Sequence, residues 1–399
     1  MTTTLADTWG IHQQQFWLRG QVPDQPVRFD EKTGMWNVYG YPEVLTMLSD
    51  PKTYGSDLSR VLPEGMVPGM EERSEGNILQ MDPPDHTKLR QLVSHAFTPK
   101  VVADLEPRIA ELTHELLDQA GPEPELVADL AYPLPVIVIA ELLGVPSSDR
   151  HLFKEWVDKM LESSTEFSLV EQNEEQKKVM EAALEPQKAL TEYLREHAAE
   201  RRGHPREDLL SKLVEAEVDG AKLSLNEVTN FANILLLAGH ITTTMLLGNT
   251  VLCLDTHPDE FAKVRADRST LPAVIEESLR FLTPFAVLAR ATTAEVELGG
   301  ATIPADQMLM VWVAAANRDA RHFAHPDVFD PSRKPNAHLA FGRGIHFCIG
   351  APLARLEGRV ALDILLDRYP SLRTDPARPP EFIPSPNMTG VRKLPLLTT

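Results

Sequence analysis

The sequence predicts a mostly helical fold with a smaller strand-rich part, and three observations lead there. Residues from about 101 to 220 read as several amphipathic helices, broken near Gly121-Pro122, Pro133-Leu134-Pro135, Gly144-Val145-Pro146 and Arg202-Gly203-His204-Pro205. One long helical stretch runs from Ser224 to about Leu254, roughly 45 Å at 1.5 Å per residue. Short strand patterns bounded by turn residues lie within about 20–60, within 285–315 and near the C-terminus. Residues 1–399 are expected to form a single domain, with those strands as its β-rich part and helices as the rest.

Composition narrows the function classes. A chain of 399 residues can bury a sizeable core. A net charge of −19 argues against a nucleic-acid partner or an anionic membrane surface. Met1 to Gly10 hold no apolar run and no basic stretch, so neither signal peptide nor anchor is expected. Two cysteines require no disulfide, and a reducing cytoplasm fits.

In chain order, Val27-Arg28-Phe29 and Met35 to Tyr39 flank Lys32-Thr33-Gly34 as a hairpin, followed by a short helix from about Pro42 to Ser49. Gly55 to Asn77 has no clean period. It reads either as a disordered surface loop or as a mobile lid over an apolar pocket. Asp82-Pro83-Pro84 looks like a helix start, which puts His86 and Arg90 on one helical face. That pair suits either plain solvation or a bound carboxylate. Ser224 and Glu227 have capping-box spacing at the head of the long helix. A membrane-spanning reading of that helix is weak, because Asn233, His240, several threonines and Asn249 interrupt the apolar run. Gly239 and Thr242 are expected to loosen its hydrogen-bond ladder locally. Pro272 suits the first turn of a helix bearing Glu277 and Arg280 at i and i+3. Glu295 to Ile303 reads as a hairpin about Gly299-Gly300, and Met308 to Val313 as a further strand.

The most informative stretch is Phe341-Gly342-Arg343-Gly344-Ile345-His346-Phe347-Cys348-Ile349-Gly350, which runs into an apolar-periodic helix. Cys348 then lies near the positive end of a helix dipole, which favours thiolate. One helix-start thiolate on a glycine-rich loop suits a soft metal with a single protein ligand, as in a haem. The other cysteine, Cys253, forms no Cys-x-x-Cys pair with it, so a four-ligand zinc site is not expected. A buried structural thiol is the plainer alternative for Cys348.

Phe-Gly-x-Gly-x-His-x-Cys-x-Gly-x-x-Leu-Ala resembles the haem-binding loop of the cytochrome P-450 family at every one of those positions. The resemblance extends from the early hairpin to the last strands. It implies a P-450-like fold with haem b between the long central helix and the cysteine loop, and Cys348 as axial thiolate. Phe341, Gly342, Gly350 and Ala354 would shape the haem cradle. His86, Arg90, Arg290 and His346 would reach the propionates. Ala238, Gly239 and Thr242 match the family's Ala-Gly-x-acid-Thr signature, in which the threonine handles bound dioxygen and the acid relays protons. The acid is missing, with Ile241 in its place, so ordinary proton delivery is in doubt. His240 is expected on the far face of the helix, about 200° from Thr242. Water bridging from Thr242 or Thr243, or from a substrate hydroxyl, is the expected substitute. Glu277, Arg280 and Arg333 resemble the family's buried structural triad rather than an ordinary surface pair. Val287, Leu288, Ile241 and Met388 are expected to face the pocket, and Asp149 to Arg201 resembles the helices that frame the substrate entrance.

The implied function is that of a haem-thiolate monooxygenase. It would insert one atom of O2 into an apolar small molecule by hydroxylation or epoxidation, in secondary-metabolite, terpenoid or fatty-acid chemistry. Electrons would come from NAD(P)H through a separate reductase and ferredoxin-type donor. Arg343, Arg355 and Arg359 could receive that acidic partner, or could serve propionates or solvent. A cytoplasmic monomer is expected. One alternative is a thiolate-haem enzyme using peroxide or driving a coupling or rearrangement, motivated by Ile241. Another is a non-catalytic haem sensor, against which the retained Thr242 speaks.

Overall fold

The computed structural model describes residues 4–63, 74–94, 97–149, 151–153, 155–156, 159, 169, 174–218 and 220–398. The fold is helical around one long central helix, with a five-stranded sheet at one side. The central helix spans Leu225–Thr256, 32 residues. Its start is fixed by the expected capping box. Ser224 Oγ accepts the Glu227 N–H at 3.0 Å, and the Glu227 carboxylate accepts the Ser224 N–H at 2.7 Å. It ends at His257, ahead of Pro258.

By length and composition this helix could cross a membrane. However, 67% of its most apolar window is buried inside the protein. Its apolar surface is consumed by neighbours rather than lipid. Phe231, Leu236, Leu247 and Val251 join Leu112, Ile139, Leu194 and Leu365 in the main core. An all-round apolar helix of this kind gains its stability from tertiary packing, not from propensity.

The sheet order is Val27–Asp30, Met35–Val38, Met308–Val311, Leu288–Thr292 and Tyr54–Gly55, with one parallel pairing, Met35–Val38 on Met308–Val311. The first hairpin turns at Gly34 (φ 71°), as its sequence predicts. The Gly299-Gly300 turn has positive φ at both glycines (58° and 84°), the backbone that a two-residue hairpin demands. The strand predicted over 308–313 stops at Val311. Trp312 leaves it to donate its indole N–H to Asn37 Oδ1 at 2.7 Å, and Val313–Ala316 turns into a short helix.

Two readings fall partly outside the described residues. Of the stretch 55–77, residues 64–73 lie outside. At its far end Glu75 accepts hydrogen bonds from Ser224 and Asn226 at the head of the central helix. Of 149–201, residues 150, 154, 157–158, 160–168 and 170–173 also lie outside. The C-terminal strands are present but short, at Arg373–Thr374, Glu381–Phe382, Val391–Lys393 and Leu396–Leu397.

Candidate functional site

The cysteine loop is shaped by two glycines in the left-handed region, Gly342 (φ 68°) and Gly344 (φ 70°). At Gly344 the constraint is double, since a Cβ there would stand 2.2 Å from the Leu48 carbonyl oxygen. Only glycine lets this loop dock on helix Tyr41–Ser49. The Cys348 N–H donates to the Phe341 carbonyl at 2.9 Å, closing the loop just before helix Ala351–Arg368. Gly350 is helical (φ −81°) and does not need the left-handed region.

The N–H groups of Gly350 and Ala351, at the start of the following helix, favour the Cys348 thiolate. Burial nevertheless wins and raises the thiol above its ordinary pKa, against those N–H groups, Arg90 and Arg355. The expected helix-start thiolate is thus not favoured by the polypeptide alone, because desolvation outweighs the dipole. A metal cation at the sulfur would reverse that balance. Cys253 is different in kind: it is fully buried in the core, and burial pushes its thiol up to about 12.

Beside the loop, four donor groups converge. His86 and Arg90 project from helix Asp85–Ser94, Arg290 from strand Leu288–Thr292, and His346 from the loop itself. The rings of His86 and His346 lie 4.2 Å apart. Arg90 donates to the Phe347 carbonyl at 2.6 Å. His346 contacts Ser56 Oγ through Nε2 at 2.8 Å and the Met81 backbone through its other side. Burial, Arg290, His86 and Arg90 together push His346 down to about 3. Arg290 is only 8% exposed, and its guanidinium makes one hydrogen bond among the described residues, to the carbonyl of the preceding residue. Burial lowers it to about 10, with Asp82 the acid that opposes this. His86 is 2% exposed, and neither ring nitrogen has a hydrogen-bond partner among the described residues. So many buried donors with so little counter-charge would be costly alone, and they fit a ligand bearing carboxylates.

The central helix supplies the opposite wall. Between residues 231 and 254 the side chains that are not buried are Ile234, Leu237, Ala238, Gly239, Ile241 and Thr242. All but Gly239 share one face at helical spacing. Thr242 Oγ1 donates to the Ala238 carbonyl at 2.7 Å. The helix stays continuous here, so the expected loosening at Gly239 and Thr242 does not break it. A Cβ at Gly239 would touch Ile139 no closer than 3.8 Å, so packing leaves room for one. His240 is buried on the far face, as predicted, edge-on to Tyr132 at 4.3 Å.

A third wall comes from Phe285 and Met388, joined by an antiparallel bridge, with Phe285 40% exposed. Leu288 is partly exposed, but Val287 is not a pocket residue. It is 4% exposed and packs with Trp17, Tyr39 and Trp312. The strand begins only at Leu288, and Ala286 is pinned by the Asn387 carbonyl. Alternation therefore cannot be extended back through 287.

Comparison with known proteins settles the family. The cytochrome P-450 family profile matches residues 7–398. The chain belongs to the cytochrome P-450 family. Erythromycin C-12 hydroxylase of Saccharopolyspora erythraea is 46% identical over 365 residues, covering 90% of this chain and 88% of that one. Cyclomarin C epoxidase CymV of Salinispora arenicola is 42% identical, covering 95% and 94%. Among solved structures, HmtN, a post-tailoring hydroxylase of himastatin biosynthesis, is 56% identical with a TM-score of 0.88 and both chains covered in full. The protein is a P-450 monooxygenase of the secondary-metabolism type, taking haem with a cysteine thiolate as axial ligand and electrons from NAD(P)H through redox proteins.

In this P-450 Glu277, Arg280 and Arg333 come together ahead of the cysteine loop. Glu277 and Arg280 pair at 2.7 Å with both side chains wholly buried. Glu277 also accepts the Asp330 N–H and the Asn336 amide. Arg333 stands 3.6 Å from Glu277 and donates to the Ala324, His325 and Val328 carbonyls. Of the outer arginines, two are paired with acids and one is exposed. Arg355 is held by Glu276 and His338 shares that carboxylate, while Arg355 lies 4.5 Å over the Phe341 ring. Arg359 pairs with Glu106 at 2.8 Å. Arg343 is exposed. Ala354 lies partly buried on the cysteine helix.

Sequence reasoning missed several residues of the P-450 site. Asp82 accepts the N–H groups of Ser56 and Asp57 and so places Ser56 against His346. Glu357 is 2% exposed on the cysteine helix, its Oε2 lacks a partner among the described residues, and burial pushes it up to about 8. Its only sequence signal is an acid at the end of an otherwise apolar face.

Proposed function

We propose that this chain hydroxylates or epoxidises a preassembled secondary metabolite as a late tailoring step, acting as one catalytic unit over residues 1–399. The observation that carries the reading is the open apolar face of Ile234, Leu237, Ala238 and Ile241 on an otherwise buried helix. It is complemented by the cationic cluster beside Cys348. Bound haem supplies oxygen activation, and the protein supplies ligation, shape and proton access. Cys348 would ligate the iron. His86, Arg90 and Arg290 would hold the propionates, and His346 would complete that cluster through Ser56. Thr242, with Ala238 and Gly239, would hold a proton-bearing hydroxyl at the reacting face, its Oγ1 released from the Ala238 carbonyl when needed. The relatives act on erythromycin and cyclomarin C by their names, which supports a bulky apolar substrate here. A ferredoxin-type donor with its reductase, a monomeric state and a cytoplasmic location complete the reading.

The test is the visible spectrum of reduced protein under carbon monoxide, for wild type and Cys348→Ala. A strongly red-shifted Soret band, lost in the variant, is expected. A band at the position of neutral histidine ligation would sink the proposal.

Ile241 favours a second reading, in which peroxide replaces O2 and electrons. Turnover with peroxide alone exceeding that with ferredoxin, reductase and NAD(P)H would establish it.

A further inference from the structure

The N-terminal segment carries a buried amide that the reaction does not explain. Gln15 is 0% exposed, and its side chain is spent on one distant turn. Nε2 donates to the carbonyls of Ser385 at 3.0 Å and Met388 at 2.8 Å, with Pro386 at 3.4 Å. Oε1 accepts the Thr389 hydroxyl at 2.6 Å. This pattern fixes the amide orientation, because flipping it would set an acceptor against carbonyl oxygens.

The turn is held from the other side by the central helix. Asn249 Nδ2 donates to the Thr389 carbonyl at 2.8 Å and to the Leu282 carbonyl at 3.0 Å. Contact is close enough to exclude side chains. A Cβ at Gly390 would stand 2.2 Å from Met245 Cγ, and one at Gly248 would stand 2.4 Å from Val391 Cγ2. Met245 lies three residues beyond Thr242, about 4.5 Å along the axis. The turn also pairs with the chain before strand Leu288–Thr292. The Thr389 N–H donates to the Pro284 carbonyl at 2.9 Å, and the Ala286 N–H donates to the Asn387 carbonyl at 2.8 Å. Phe285 and Met388 face each other across this bridge, both left partly exposed. They therefore span the gap between the Thr242 face and the strand that carries Arg290.

We infer that Gln15 is a positioning residue for substrate specificity: it fixes the height of the Phe285–Met388 wall and so decides which part of a bulky substrate lies over Thr242. The inference rests on the haem-thiolate reading of the site. Gln15 touches no substrate. It acts through the turn, with Asn249 as the opposing tie. Three carbonyls and a hydroxyl drawn onto one amide fix the height of the turn, whereas Asn249 and the two backbone bonds to Pro284 and Ala286 leave its outer side untied.

Two azoles that ligate haem iron separate wall from iron. Imidazole and 4-phenylimidazole differ by one phenyl ring, so the difference in their binding reports the space beyond the ligating nitrogen. Both are titrated into haem-loaded wild type, Gln15→Met, Thr389→Val and Met388→Ala, following the Soret shift. Gln15→Met keeps the bulk and removes every hydrogen bond. It is expected to weaken 4-phenylimidazole about five- to tenfold while imidazole stays within about twofold. Thr389→Val deletes one bond at constant volume, and should act in the same direction by about two- to threefold. It decides the matter should Gln15→Met fail to take up haem. Met388→Ala gives the signature of a directly altered wall. Parallel change in both ligands, or no change in either, overturns the inference and leaves Gln15 a plain structural tie. The reduced carbon monoxide spectrum of wild type is recorded alongside; if it lacks the strongly red-shifted Soret band, the haem-thiolate reading itself falls.

Discussion

Arg280 and Arg290 lie ten residues apart, and both are almost completely buried, at 0% and 8% exposure. Arg280 uses all its donors: two bonds to Glu277, and one each to the carbonyls of Asn317, Pro326 and Val328. Among the described residues the Arg290 guanidinium has one bond, to the carbonyl of its own neighbour. A buried guanidinium that is saturated belongs to the fold. One that is not saturated marks a place where opposite charge arrives from elsewhere. Residue type and burial alone do not separate the two roles; the count of partners does.

The comparison can be broken most directly at Glu277. Glu277→Gln keeps the shape but leaves Arg280 buried without its counter-charge, and should cost about 3–5 kcal/mol by denaturant unfolding. A loss below about 1 kcal/mol would mean that saturation does not matter here.

Glu357 sharpens it as a third case, a buried acid whose Oε2 has no partner among the described residues. Its carboxyl sits at about 8 in the folded chain against 4.5 unfolded. Across that window the folded state holds a proton that the unfolded chain has released. Its contribution to stability is therefore fullest below pH 4.5 and is lost as the pH rises toward 8. Glu357→Gln should remove the dependence and stabilise the protein by roughly 2–4 kcal/mol at pH 8, with little effect near pH 4.5. Equal effects at both pH values would show that Glu357 has a partner.

Arg290→Leu tests the unsaturated case. The haem-free protein should be as stable as wild type or up to about 1 kcal/mol more so, since an uncompensated charge is gone. Haem transfer to apomyoglobin should quicken about tenfold, equal to ~1.4 kcal/mol. Stability loss in the haem-free state would place Arg290 with Arg280.

The smallest effect is expected at Ile241. Ile241→Glu should raise the fraction of NAD(P)H oxidation that ends in product by about two- to fivefold, as proton access improves. No gain would shift attention to water bridged by Thr242.

Much of this was legible before folding. The capping box, the Gly-Gly hairpin, the long helix and the cysteine loop are local signals, each written in adjacent residues. The convergence of His86, Arg90, Arg290 and His346 came through resemblance, because no spacing rule joins residues so far apart. Gln15, Ser56 and Asp82 carried no signal at all, since each acts on a partner brought near only by the fold. Val287 failed for a definite reason: it lies just ahead of the strand and packs into the cluster of Trp17, Tyr39 and Trp312, whose members are remote in sequence. Arg355 and Arg359 looked available for a partner protein because Glu276 and Glu106 are remote in sequence.

The cysteine loop owes its form to contacts within the polypeptide: Gly344 on Leu48, Cys348 on Phe341 and Arg90 on Phe347. Whatever displaces the end of helix Tyr41–Ser49 therefore displaces the sulfur: the seat of the loop lies about 300 residues upstream of the cysteine it carries.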